Sequence, residues 1–243
     1  MKTVAIVQAR MSSSRLYGKV LADLCGDTML GRVVARLRAA KTIDRIVVAT
    51  STEPTDDPIM VEAGRLGCGV HRGSIDDVLA RYVGAARRFR ADAYVRITSD
   101  CPLIDPDVVD AVVAALPGYD YASNTHARTY PRGLDVEAFY ADTLERIGRL
   151  ATSPAAREHV TAFAMERPAL FKINQVCADA DDSDLRWTVD TADDLSLIRT
   201  LYSRFDLGSA IRPYYEVVSA VRAEPALATA NAHVAQKAWQ HVA

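Results

Sequence analysis

Residues 8–21, Gln-Ala-Arg-Met-Ser-Ser-Ser-Arg-Leu-Tyr-Gly-Lys-Val-Leu, gather Arg10, Arg15, Lys19, three serines and Gly18 in one short segment directly after an apolar run. Three cations can neutralise a triphosphate, and serine hydroxyls together with the N–H groups of a turn can donate hydrogen bonds to its oxygens. By composition alone the segment reads equally as a solvated loop. Two carboxylates sharpen the chemistry. Asp100 stands in Arg-Ile-Thr-Ser-Asp-Cys-Pro at 96–102, and Asp190 closes Leu-Arg-Trp-Thr-Val-Asp at 185–190. Mg²⁺ takes few carboxylates and keeps its other positions for water and phosphate oxygens, so such a pair suffices as a metal site. Ser74 and Arg81, in Gly-Ser-Ile-Asp-Asp-Val-Leu-Ala-Arg at 73–81, could reach a ribose or a base; a helix-capping turn is the competing reading. Arg157, Glu158 and His159 could meet an anionic or hydroxylated substrate. Neighbouring positions diverge on a helix, so Glu158 and His159 do not make a metal pair.

The elements that must position these groups follow from periodicity. Short apolar runs at 4–7, 45–49, 68–71 and 93–97 predict buried strands, and patterns at 29–40, 58–66, 76–89 and 106–116 predict the helices between them. Asp57 before Pro58, Asp105 before Pro106, and Ser74 or Asp76 supply the expected N-caps. This βαβα alternation predicts a mostly parallel mixed sheet with helices on both faces. The triphosphate loop then follows the first strand, and Asp100 follows the fourth. After Pro117-Gly118 the pattern predicts a strand over 134–140, helices over 142–151 and 155–166, strands over 171–176 and 185–189, and a helix carrying Leu195, Leu197, Ile198 and Leu201. One domain is expected over 1–243, with 119–190 contributing the acceptor region and 213–243 forming a C-terminal helical tail.

At 243 residues, 49% hydrophobic and 25% charged, the chain can bury a substantial core. Its net charge of −2 argues against a nucleic-acid binder with a broad basic surface. Cys25, Cys68, Cys101 and Cys177 form no Cys-x-x-Cys pair and read as reduced thiols. The N-terminus has no signal-peptide pattern and no stretch reaches membrane-span length, so the expectation is a cytoplasmic protein with no membrane partner.

The ordered set of motifs at 7–19, 73–82, 96–106, 121–125, 130–137, 157–161 and 186–191, spread over about residues 3–200, resembles the spore-coat-polysaccharide type of cytidylyltransferase. Its relatives are the acylneuraminate and 3-deoxy-manno-octulosonate cytidylyltransferases. The resemblance implies a Rossmann-like, GT-A-like nucleotidyltransferase fold, a homodimer, and Mg²⁺-dependent transfer of CMP from CTP to an acidic acceptor with release of pyrophosphate. That acceptor would be an acidic sugar or a phosphate or phosphonate compound. Arg10, Arg15, Lys19, Asp100 and Asp190 would be the catalytic set, with Mg²⁺ on Asp100 and Asp190. Ala9, Arg10, Ser14, Arg15, Lys19, Ser74, Arg81, Thr98 and Asp100 would hold CTP. Asn124, Arg132, Glu137, Arg157, Glu158, His159 and Arg186 would hold the acceptor. The family loop usually has Gly where this chain has Ser13 and Pro where it has Tyr17, which predicts a differently shaped or more mobile cradle. Two rival readings stand beside this one. A glycosyltransferase using a nucleotide sugar would exploit Asp105-Pro106-Asp107, although Pro106 suits a helix start. The other rival is a non-catalytic nucleotide-binding subunit.

Overall fold

The structure, a computed structural model, describes residues 1–236. Its first half is the expected alternation: β1 (Thr3–Gln8), α1 (Met29–Ala39), β2 (Arg45–Ser51), α2 (Asp57–Arg65), β3 (Gly69–Gly73), α3 (Val78–Arg88), β4 (Ala93–Thr98) and α4 (Pro106–Ala114). Then come β5 (Tyr121–Ser123), β6 (Glu137–Tyr140), α5 (Ala141–Leu150), α6 (Pro154–His159), α7 (Ala162–Met165), β7 (Ile173–Gln175), α8 (Ala192–Arg204), α9 (Tyr214–Arg222) and α10 (Pro225–Thr229). The seven strands form one sheet in the order β3-β2-β1-β4-β6-β5-β7. Only β6 runs antiparallel to its neighbours. The helical tail expected over 213–243 is described as α9, α10 and the chain to 236; residues 237–243 lie outside the described residues.

Side chains alternate across a strand, so β1 feeds two cores at once. Ala5 and Val7 pack with apolar residues of α1, α2, α4, α8 and α9, while Val4 and Ile6 pack on the opposite face with those of α3, α5, α6 and α7. Capping sets several helix starts. Thr28 accepts from Gly31 N at 2.9 Å, and Asp105 accepts from Asp107 N and Val108 N at 2.9 and 3.2 Å. Thr191 and Asp194 form a reciprocal capping box at the start of α8.

Four local expectations are corrected. The cap of α3 is Asp77, which accepts from Ala80 N at 2.8 Å, rather than Ser74 or Asp76. Asp57 is the first residue of α2 and not its cap, because a 3-10 turn over Pro54–Asp56 leads straight into the helix. The helix expected over 155–166 is broken into α6 and α7 by Val160, whose φ is 58°. The next residue, Thr161, turns inward and donates its buried hydroxyl to Glu137. Residues 185–189 are extended but make only one isolated bridge, Arg132 to Arg186. Successive N–H groups there go to different segments, Trp187 N to Arg132 O at 2.6 Å and Val189 N to Asp100 O at 2.8 Å, so no ladder can form. Leu185, Trp187 and Val189 are all buried, so the alternation reported burial rather than sheet pairing.

The contact between 131–133 and 185–188 depends on Gly133, at φ 110°. A Cβ there would lie 2.6 Å from Thr188 N and from Trp187 C. Gly133→Ala therefore combines a strained φ with a backbone clash and should cost about 2 kcal/mol or more. The expected drop in melting temperature, about 4–8 °C, is readable by calorimetry; an unchanged transition would show that the two segments separate freely.

Candidate active site

In the order 3-2-1-4 the chain's direction of travel across the sheet reverses between β1 and β4, and ligands of open α/β sheets bind at the carboxyl ends of the strands at such a point. A cavity of about 400 Å³ opens there. It is lined by the ends of β1 (Gln8, Ala9) and β4 (Thr98, Ser99, Asp100), the loop after β1, Arg81 of α3, and Asp190. The loop itself is built from the sequence upward. Gly18 takes φ 70°, the left-handed conformation glycine adopts without penalty, and turns the chain into a short 3-10 helix that starts at Lys19. On the outer side Asp56, fully buried in the turn before α2, accepts from Met11 N at 2.7 Å and from Ser51 of β2, tying the loop to the sheet. Ser13 lines the cavity without a positive φ, so it needs no glycine, and Tyr17 is 65% exposed, outside the cavity lining.

The centre of the site is Lys19. Its Nζ donates to Asp100 Oδ2 at 2.8 Å, Asp190 Oδ1 at 2.9 Å and Val189 O at 2.6 Å. Asp190 is further paired with Arg15 at 2.8 Å and Arg186 at 2.8 Å. Burial by itself would lower the Lys19 ammonium, but Asp100 and Asp190 outweigh it and hold its pKa above the ordinary value. Burial by itself would raise Asp190, but Lys19, Arg15 and Arg186 outweigh it and hold the carboxyl below the usual range. Two carboxylates that converge on one point of the cavity lining form an oxygen donor set of the kind Mg²⁺ uses. Among the described residues no group of three or more His, Cys, Asp or Glu side chains could hold a metal by itself.

Arg10, Arg15, Lys19, Arg81, Arg96 and Arg132 line the cavity against Asp100, Asp135, Glu158 and Asp190. This local excess of cations in a chain of net charge −2 suits a polyanion. Among the described residues Arg10 and Arg132 form no ion pair. Burial, and then the nearby Arg128, holds Arg132 below the ordinary guanidinium value, and burial does the same to Arg81. Such groups gain most from an incoming anion.

Of the residues singled out from the sequence, Ala9, Arg10, Ser14, Arg15, Lys19, Arg81, Thr98, Asp100, Arg132, Glu158, His159 and Asp190 meet around this one cavity. Others are spent on the fold. Ser74 accepts from Asp76 N and Asp77 N at 3.2 and 3.1 Å and does not line the cavity. Asn124, 1% exposed, braces β5 against the chain before β6 by donating to Leu134 O at 2.7 Å and accepting from Val136 N at 2.9 Å. Glu137 is buried behind the cavity, paired with Arg96 and accepting from Tyr121 Oη at 2.5 Å and from Thr161. Arg157 grips Asp77 at 2.6 Å and lines an adjoining hollow that shares Arg10 and Glu158 with the main cavity. Arg186 holds Asp190 and Asp194 from behind. Asp105 is buried as the cap of α4 and accepts from Tyr214 N at 2.7 Å, so Asp105-Pro106-Asp107 stands outside the cavity. Sequence reasoning passed over Arg96 and Asp135. A charged residue in the middle of the buried strand Tyr-Val-Arg-Ile-Thr was the available signal for Arg96. Asp135 lies within the motif at 130–137, and it is held by both Nη nitrogens of Arg128 at 2.6 and 2.9 Å.

Lys19→Met would leave Asp190 with Arg15 and Arg186 but without its nearest ammonium, so its carboxyl pKa should rise. Selective ¹³C-carboxyl NMR titration measures this, and an unmoved midpoint would contradict the arrangement. Because the folded pKa of Asp190 is depressed, its stabilising contribution is complete at neutral pH and is lost as pH falls below about 4, through the folded value. Lys19→Met should therefore show a smaller loss of stability between neutral and acidic pH than the parent.

The sequence profile of the cytidylyltransferase family matches residues 4–204. The Bacillus subtilis spore coat polysaccharide biosynthesis protein SpsF is 34% identical over 208 residues, which cover 82% of this chain and 85% of that protein. A solved structure of a cytidylyltransferase from Leptospira borgpetersenii is 32% identical, covers 99% of this chain and 100% of its own, and superposes with a TM-score of 0.89. The structure of CMP:2-keto-3-deoxy-manno-octonic acid synthetase complexed with CTP covers 84% of this chain and 100% of its own at 20% identity and a TM-score of 0.65, a likeness of fold. The architecture is thus the Rossmann-like nucleotidyltransferase fold, with the cavity at the sheet's switch point.

Proposed function

We propose, on the premise that this chain belongs to the cytidylyltransferase family and is a nucleotidyltransferase, that it transfers CMP from CTP to an acidic acceptor and releases pyrophosphate. The observation that carries this reading is the cluster of Lys19 with Asp100 and Asp190, beside Arg10 and Arg15, in one cavity at the ends of β1 and β4. Arg10, Arg15 and the N–H groups of the loop hold the triphosphate. An oxygen of the acceptor attacks the α-phosphorus, the bond from that phosphorus to the bridging oxygen of the β-phosphate breaks, and pyrophosphate leaves with the bond's electron pair. Arg15 and Lys19 stabilise the charge that develops on it, which is the main work in phosphoryl-type transfer. Asp100 and Asp190 would hold Mg²⁺, which supplies further neutralisation of phosphate charge when bound.

The acceptor would bind among the cavity-lining residues Arg96, Arg132, Glu158 and His159. Arg132 supplies a guanidinium for an acidic group. An acceptor that attacks through a phosphate or phosphonate oxygen needs no proton removed. One that attacks through a hydroxyl passes its proton to a carboxylate of the cavity, for which Asp135 and Glu158 in its lining are available.

The test is a pyrophosphate-release screen with CTP across acidic sugars, phosphates and phosphonates, with ATP, GTP and UTP as controls. Release with CTP and at least one acidic acceptor is expected, falling by about 10²-fold or more in Asp100→Asn and in Asp190→Asn. Release driven by another triphosphate would overturn the cytidylyl reading. Transfer from a CMP-sugar without pyrophosphate would install a glycosyltransferase instead, and CTP binding without turnover across the panel would mark a non-catalytic subunit.

A further inference from the structure

The family profile ends at residue 204, yet the chain beyond it returns to the site. After α10 the segment 230–236 lies behind Asp190. Asn231, 2% exposed, donates through Nδ2 to Arg186 O at 3.0 Å and to Asp194 Oδ1 at 2.7 Å. Asp194 is fully buried. Its Oδ2 accepts from Asp190 N at 2.9 Å, Thr191 N at 3.0 Å and Thr191 Oγ1 at 3.1 Å, and Arg186 spans both of its oxygens at 3.0 and 3.2 Å. The same Arg186 Nη2 reaches Asp190 Oδ2 at 2.8 Å. Farther along the segment, Gln236 accepts from Arg186 Nη1 at 2.5 Å and itself lines the cavity.

We propose that Asn231 is a positioning residue for the Asp190 carboxylate, acting through Asp194 and Arg186, and that the C-terminal segment bearing it is a working part of the site. The chemistry explains the residue type. Asp194 Oδ1 needs a donor besides Arg186 Nε, because an incompletely satisfied buried carboxylate is costly. A cation in that place would satisfy Asp194 by itself and release Arg186 from it. A neutral amide completes the hydrogen bonding of Asp194 and leaves Arg186 shared between Asp194 and Asp190. Backbone and side chain of Asp190 are thereby fixed together, one by Asp194 and the other by Arg186.

This inference rests on the role given to Asp190 in the proposed reaction, so its test has a readout independent of turnover. In Asn231→Leu and Asn231→Asp, the ¹³C resonance of the Asp190 carboxyl, assigned with Asp190→Asn, is recorded without nucleotide or metal and compared with the parent. Asn231→Asp keeps the shape of the side chain but sets a carboxyl group 2.7 Å from Asp194, where the two must repel or share a proton, so it perturbs the hydrogen bonding where the leucine variant disturbs packing. The expected result is a displaced Asp190 resonance in both variants, with kcat for CTP-dependent pyrophosphate release reduced about 10-fold or more and KM for CTP changed far less. A parent-like Asp190 resonance in folded Asn231→Asp, judged by its circular dichroism, would overturn the proposal. Should the parent release no pyrophosphate with any acceptor, the proposed function fails while the resonance still decides whether Asn231 positions Asp190.

Discussion

One ammonium group holds the site together. Lys19 comes from the loop after β1, Asp100 from the end of β4, and Asp190 from the extended segment before α8, and the three meet at distances of 2.8 and 2.9 Å. Two carboxylates brought this close without a cation would repel and drive one of them to take up a proton. With Lys19 between them Asp190 is held below its usual range. The same contact closes the loop against the strand ends, so electrostatics and loop conformation are one constraint. This pairing keeps the Lys19 ammonium and the Asp190 carboxylate charged in a partly buried place.

The sheet explains why that meeting occurs where it does. Parallel strands β1 and β4 lie side by side at the reversal of strand order, so their following loops diverge and leave a crevice. Much of the polar apparatus around the crevice is support. Asp56 holds the loop from outside, Glu137 with Tyr121 and Thr161 holds Arg96 from below, and Asp194 with Arg186 holds Asp190 from behind. Each of these acids is buried, with 4% exposure or less, and each is matched to donors from a different part of the chain. A buried carboxylate is tolerated only with such partners, and once they are supplied it fixes their geometry.

The legibility of this protein in its sequence divides along the same line. The βαβα half was readable because apolar period and capping residues are local signals: Asp105 before Pro106 marks α4, and the Thr-Val-Ala-Ile-Val run marks β1. The cationic loop and the two aspartates were readable because their residue types are unusual beside strand ends. Glu137 and Arg186, by contrast, carry charges that look equally suited to a ligand, and only their neighbours show that Arg96, Tyr121, Asp190 and Asp194 take them up. The break at Val160 was hidden because no glycine or proline marks it, and the contact made beside it, from the Thr161 hydroxyl to Glu137, joins residues distant in the chain.

By itself the sequence determined that the sheet is mostly parallel, the succession of its first strands and helices along the chain, and which charged loops follow them, since these rest on local signals and on burial that repeats with a regular period. It also carried the motifs that relate the chain to cytidylyltransferases. Tertiary structure alone decided which charges face the cavity and which are neutralised behind it, and it brought Asn231 and Gln236 to a site begun more than two hundred residues earlier. The physical reason is that a charged side chain has no intrinsic preference between a ligand and a buried partner. The choice is made by whichever opposite charge the folded chain places within hydrogen-bond reach.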